Sequence, residues 1–486
     1  MLELGGAAAL LAGTPAAAVE EGRQAAAPSS LWPSYFAIKI VWGFANRHSV
    51  AAGERFDVML AVGPQQPDAS GRLEFFRIGP HAEAPQKPVF TSDVVQVGAA
   101  AVSRSAAATG TGWAPTLADI DTTTWPPGCY SADFVHASGE VRDLQVLQIV
   151  IRNPRRDGDV LLKLGTNTYQ AYNRWGGHSL YPTEDETQRG HVVSFDRPTP
   201  PSFFEYDVFL VRWLEQLATA TGFKIDYATD FDAHADPTLL TDYRLLLSSC
   251  HDEYWTKAMF DAVEQRIFRL GRNTIFFGAN VSYFQVRYAD IDRAPDGADR
   301  GRQLVCYKSL SDPIARRGGA TDPMLLVTAR FRDGARRPES MLAGIAYQNW
   351  FPPDNDDVRF AYVVEQADGP LFANTGLRAG DVIADVVGYE WDNRDPARDG
   401  RRLWDAARSH NAAIPAERLK VLFSGAPVAV DGTTGRAEAV FFESPAGAKV
   451  FSTGSIRWAW GLGKPGFERE SFRQFNANLM REMLRR

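Results

Sequence analysis

Leu245-Leu246-Leu247-Ser248-Ser249-Cys250-His251-Asp252-Glu253-Tyr254-Trp255 begins as an apolar run and breaks abruptly into a packed set of ionisable groups. A short apolar run bounded by polar residues reads as a buried strand, so this one delivers His251, Asp252 and Glu253 to a single place. Downstream, Met259, Phe260, Val263, Ile267 and Leu270 recur at three- and four-residue spacing, which predicts a helix with Gly271 at its C-cap. Asn273 to Phe277 is then a second strand, running into Gly278-Ala279-Asn280. Strand, polar loop, helix and strand in that order describe a parallel α/β unit, whose ligands bind at the carboxyl ends of the strands. The acids therefore stand where a site is expected.

The same alternation extends toward the N-terminus. Val160 to Leu164 reads as a parallel strand, Phe204 to Thr221 as an amphipathic helix, Lys224 to Tyr227 as a strand, and Thr229-Asp230-Phe231-Asp232 as its polar exit. After Leu164 comes a loop, Gly165 to Tyr181, that holds three tyrosines, a tryptophan and two adjacent glycines. That is too much aromatic mass for a solvated connection, and the loop is expected to be a folded pocket wall.

Before this unit the pattern changes. Runs such as Phe36 to Ile40, Arg55 to Leu60 and Leu144 to Val150 alternate at strand period and are separated by turn residues, which predicts a small Ig-like β-sandwich over residues 31–155. Pro126-Pro127-Gly128 announces its penultimate strand, Cys129 to Phe134, and Asn153 to Gly158 marks the boundary with an α/β domain over 156–486. Leu2 to Ala18 is rich in Ala, Leu and Gly without a basic start, and reads either as a truncated export signal or as a disordered Ala-rich leader. Residues 1–30 are expected outside the fold, and the compartment stays open between cytoplasmic and exported.

Composition removes several classes. At 486 residues and 45% hydrophobic content the chain exceeds a single core. A net charge of −7 supplies no basic footprint for nucleic acid. Cys129, Cys250 and Cys306 form no CxxC pair and no disulfide framework. No stretch reaches the roughly 20 apolar residues of a membrane span.

Several pieces together resemble the large (β) subunit of N,N-dimethylformamidase, in its C-terminal domain. They are Asn167 to Asn173 with Trp175-Gly176-Gly177 and Ser179-Leu180-Tyr181, then Ser194 to Pro198, His251 to Trp255, Gly278-Ala279-Asn280, and Gly454 to Trp458. The resemblance implies a fold related to class I glutamine amidotransferases and a mononuclear ferric site bound by two tyrosines and one glutamate. Carried over by motif and order, the ligands are Tyr130, Tyr172 and Glu253; His251, Asn280 and Glu390 complete the catalytic set. Anionic oxygen donors of this kind favour Fe(III) and leave positions open for water or a carbonyl. The implied activity is hydrolysis of a small N-substituted, formamide-like amide to an acid and an amine. The implied assembly is a homo-oligomer or a complex with a small helical subunit, although this chain lacks domain material that the formamidase large subunit carries.

Two other readings compete. Cys250 beside His251 at a strand end raises a cysteine amidase, but a nucleophile elbow needs small residues on both sides, and here Ser248-Ser249 precede while His251-Asp252 follow with no glycine. The aromatic segment 169–181 alternatively suits a non-catalytic envelope protein that binds carbohydrate or another small ligand. Taken alone, Glu253 also reads as a carboxylate at a helix start, and Tyr130, Tyr172, Tyr181 and Tyr254 as packing residues.

Overall fold

All four residues of the Leu245–Ser248 strand are buried, and the strand lies third in a nine-stranded sheet. The computed structural model describes residues 39–485 apart from 64–65, 81–86, 104, 182–188, 290–300, 317–321, 353–357 and 395–417. Residues 1–30 and the start of the strand expected from Phe36 lie outside the described residues. Across the sheet the strands are Ile225–Thr229, Val160–Leu164, Leu245–Ser248, Asn273–Phe276, Lys449–Ser452, Ala437–Glu443, Lys420–Gly425, Phe360–Val364 and Val382–Val387. Neighbours among the first five pair in parallel, and every later pairing is antiparallel.

Burial on both faces explains the continuous apolar runs of the parallel strands. Leu245 and Leu247 join the cluster that contains Leu210, Val211 and Leu214 of the Val208–Thr221 helix. Leu246 points the other way, into the cluster with Met259, Phe260, Val263 and Ile267 of the Lys257–Phe268 helix. That helix ends before Gly271: its C-cap is Arg269, and Gly271 turns the chain at φ +62°. The segment expected as a loop after Leu164 opens instead as a helix, Thr166–Tyr172. Its first turn has no cap of its own, and the Asp230 carboxylate supplies one by accepting the Asn167 N–H at 2.8 Å.

Toward the N-terminus, Val41–Ala45, Arg55–Val62 and Leu117–Asp121 form a three-stranded antiparallel sheet. A second sheet contains Arg142–Arg152, Gly128–His136 and Ala69–Arg77, with short strands at its edges. Side chains of both sheets meet in one buried cluster, Val58 and Leu60 from the first with Leu73, Phe75, Tyr130 and Ile149 from the second. Ile78, Cys129 and Val150 face the opposite way and share a cluster with Leu162 and Leu164. Ion pairs from Arg77 to Glu215 and from Arg152 to Asp232 tie the same regions together. The chain is thus a mixed α/β structure of several sheets. Among the described residues no helix is long and apolar enough to cross a membrane.

Candidate functional site

Three adjacent parallel strands end at the same edge, and two glycines let their exits touch. A Cβ at Gly165 would stand 2.4 Å from the His251 carbonyl oxygen, and one at Gly278 would stand 1.9 Å from the Cys250 carbonyl oxygen. Both are closer than any side chain tolerates. Because these positions are glycine, His251 forms a short parallel bridge with Ala279. The Glu253 N–H donates to Thr168 Oγ1 at 3.0 Å, which locks this exit to the Thr166–Tyr172 helix. Between His251 and Glu253, Asp252 turns inward to the fully buried Lys163, which also pairs with Asp230. Glu390 arrives from the far side of the sheet, at the start of the Glu390–Asn393 strand that follows Val382–Val387.

These elements bring together Tyr172, Tyr181, His251, Glu253 and Glu390. The Tyr172 hydroxyl donates to Glu253 Oε2 at 2.8 Å and stands 2.8 Å from the Tyr181 hydroxyl. Tyr181 donates to the other carboxylate oxygen, Oε1, at 2.5 Å. Glu390 Oε1 lies 3.4 Å from the Tyr172 hydroxyl. His251 stands between the two acids, its Nε2 3.4 Å from Oε2 of each, while Nδ1 meets the Tyr389 hydroxyl at 3.1 Å. Lys308 closes one side, its ammonium 3.2 Å from the centre of the Tyr181 ring.

Burial and charge pull against each other here. Burial alone would push the His251 imidazole down, but the Glu390 and Glu253 carboxylates raise it to about 10. For Lys308 burial prevails and lowers the ammonium to about 8, although Glu253 opposes it. Burial first, and Glu253 second, drive both the Tyr172 and Tyr181 phenols well above their usual range. Without a further cation both phenols therefore stay protonated and donate to the carboxylate.

The other expected positions divide. Asn280 sits one residue past the bridge at φ +56°, its N–H bound to Asp392 Oδ1 and its side-chain Oδ1 buried without a hydrogen-bond partner. Tyr130 is not brought to this cluster: its hydroxyl donates to the Pro126 carbonyl at 2.6 Å, and its ring lies 5.0 Å from Trp125 inside the N-terminal sheets. Strand alternation turns residue 130 into that core, while Cys129 faces the α/β unit. Tyr181, expected to pack, instead brings a second phenol to the Glu253 carboxylate. Its hint in the sequence was its place beside Leu180 in the aromatic segment after Tyr172. Lys308 and Tyr389 carried no motif. Glu253 is not a helix-start carboxylate, because strand Tyr254–Thr256 follows it and Thr256 caps the helix through Met259 N–H. Cys250 is fully buried and its thiol is pushed up, by burial first and by Asp207 second, which opposes a nucleophilic role.

Two half-buried phenols and one buried carboxylate form a hard, oxygen-rich donor set suited to a small, highly charged cation. His251 Nε2 and Glu390 Oε2 are buried beside it and face each other at 3.4 Å, without a well-formed hydrogen bond. Each such group costs about 1–3 kcal/mol unless something satisfies it. Among the described residues no group of three or more His, Cys, Asp and Glu side chains is arranged to hold a metal ion.

Residues 72–471 match the family described as N,N-dimethylformamidase beta subunit-like, C-terminal. The chain is also 26% identical over 280 residues to the N,N-dimethylformamidase beta subunit of Alcaligenes sp, a match that covers 53% of this chain and 34% of that protein. It therefore spans about a third of the length of the curated relative it matches.

Proposed function

The chain belongs to the N,N-dimethylformamidase beta subunit-like, C-terminal family, and we propose that it is an amidohydrolase that acts on a small N-substituted, formamide-like amide. The observation that carries this reading is the meeting of Tyr172, Tyr181 and Glu253, flanked by His251 and Glu390. Tyr172, Tyr181 and Glu253 would hold one ferric ion, with Tyr181 in the role first expected of Tyr130. When bound, such an ion supplies Lewis acidity toward an amide carbonyl.

The chain's own groups do the rest. Glu390, whose Oε2 faces His251 Nε2 at 3.4 Å, accepts a proton from the attacking water. His251, 3.4 Å from both acids, orients them toward a common point. Asn280 would donate from Nδ2 to the charge developing on the carbonyl oxygen, a contact typically worth about 3 kcal/mol of barrier. Asp252, anchored on Lys163, fixes the turn that presents His251 and Glu253.

The finer architecture belongs to the same proposal. Residues 31–155 are read as an Ig-like sandwich, supported by two sheets that share one cluster. Residues 156–486 are read as glutamine amidotransferase-like, supported by the parallel strands, the helices on both faces and a site at the strand ends. The relative is named as a subunit, which supports a second chain in the working enzyme.

Hydrolysis of N,N-dimethylformamide, followed by the release of formate and dimethylamine, tests the proposal. Iron-loaded wild-type protein is expected to turn over this substrate, N-methylformamide or formamide. Glu390→Gln is expected to keep its iron and lose about 10²–10⁴ of the rate, because it removes proton transfer and not a ligand. No turnover of any of the three by iron-loaded protein would reject the activity.

A further inference from the structure

A second concavity lies on the other side of the Thr166–Tyr172 helix, where the N-terminal sheets meet the α/β unit. It is half open to solvent and has a cavity volume of about 60 Å³. Arg47, Arg197 and Arg302 line it, and none of its described lining residues is an acid. In a chain with a net charge of −7, three guanidinium groups around one hollow without a carboxylate in its wall are out of keeping with the surface at large.

The partners of these groups sharpen the point. The Arg197 side chain is spent on the protein, with hydrogen bonds to the carbonyls of Ser194, Asn173, Trp175 and Gln170. Arg302 pairs with Asp196 at 2.7 Å. Arg47 differs: its buried Nε has no hydrogen-bond partner, and neither has the buried Nε2 of Gln148 in the same wall. Both are donors. His48 adds no competing charge, since burial, and Arg302 after it, hold its imidazole well below the usual range.

We propose that this hollow binds a small oxyanion, a carboxylate or a phosphate, through the unpartnered donors Arg47 Nε and Gln148 Nε2. A guanidinium fork and an adjacent amide N–H match the paired oxygens of such an ion, and removal of the unpaired donors' desolvation cost adds to the attraction. The site is separate from the Tyr172–Glu253 cluster, and the inference does not depend on the ferric reading.

The test is thermal unfolding of the full chain titrated with sodium formate, sodium acetate or sodium phosphate, against sodium chloride at matched ionic strength. An ion that binds only the folded state raises Tm with concentration. A response to formate and acetate alone identifies a carboxylate site, and a response to phosphate alone identifies a phosphate site; either supports the proposal. Arg47→Met and Gln148→Leu should each weaken the response by about tenfold in apparent Kd while leaving the anion-free Tm nearly unchanged, since neither side chain has a partner to lose. Tyr172→Phe should retain the full response, which separates this hollow from the amidase cluster. No stabilisation beyond chloride, or an undiminished response in the Arg47→Met, Gln148→Leu double variant, would overturn the proposal.

Discussion

Two tyrosines carry most of the functional argument, and single hydroxyl deletions tell them apart from a third. Tyr130 spends its hydroxyl on Pro126, so Tyr130→Phe is expected to cost about 1 kcal/mol of stability and to leave amide hydrolysis unchanged. Tyr181→Phe keeps the ring under Lys308 but removes the oxygen that meets Glu253, so activity should fall while the unfolding free energy shifts by a similar small amount. Paired activity and urea-unfolding measurements on the two variants check both statements. His251 and Glu253 were legible where the apolar run Leu245 to Leu247 breaks into ionisable groups, whereas Tyr172 and Glu390 were reached only through the family resemblance. Tyr181 was passed over because a tyrosine in an aromatic segment ordinarily packs, and only the fold shows its hydroxyl turned to a carboxylate. Lys308 was beyond reach, since no local pattern announces a lysine that folds back over a ring contributed from residue 181.

Among the elements, the turn from Ser248 to Glu253 depends on a charge buried beneath it. Lys163 bridges Asp230, at the start of a neighbouring helix, and Asp252, which also accepts the Ser248 hydroxyl at 2.5 Å. Lys163→Met would leave two buried carboxylates without their cation, and a loss of about 3–5 kcal/mol in unfolding free energy is expected from denaturant titration. A loss below about 1 kcal/mol would mean that the pair does not hold the turn. The parallel strands were readable because Leu245 to Leu247 and Val160 to Leu162 are apolar on both faces, and the Lys257–Phe268 helix because its buried residues keep helical spacing. The Thr166–Tyr172 helix was not readable. It has only seven residues, no side-chain cap of its own and a first turn completed by Asp230 from a distant segment.

In the whole molecule, the N-terminal sheets and the α/β unit share buried surface at Ile78, Cys129, Val150, Leu162 and Leu164 and are spanned by the Arg77–Glu215 pair. A single calorimetric unfolding transition is therefore expected, and two resolved transitions would show units that fold independently. This packing was not legible from the change of pattern near Asn153, which marks a turn between the two regions and says nothing of how tightly they join. The central claim is that Tyr172, Tyr181 and Glu253 together bind one ferric ion, and phenolate bound to Fe(III) absorbs visible light. The most direct measurement is iron content and the visible spectrum of the full chain after reconstitution with ferric iron, in wild type, Tyr181→Phe and Tyr130→Phe. The account predicts one iron per chain and a visible band that is shifted or lost in Tyr181→Phe and unchanged in Tyr130→Phe. Colourless, iron-free wild type, or a band that survives Tyr181→Phe intact and disappears in Tyr130→Phe, would contradict it.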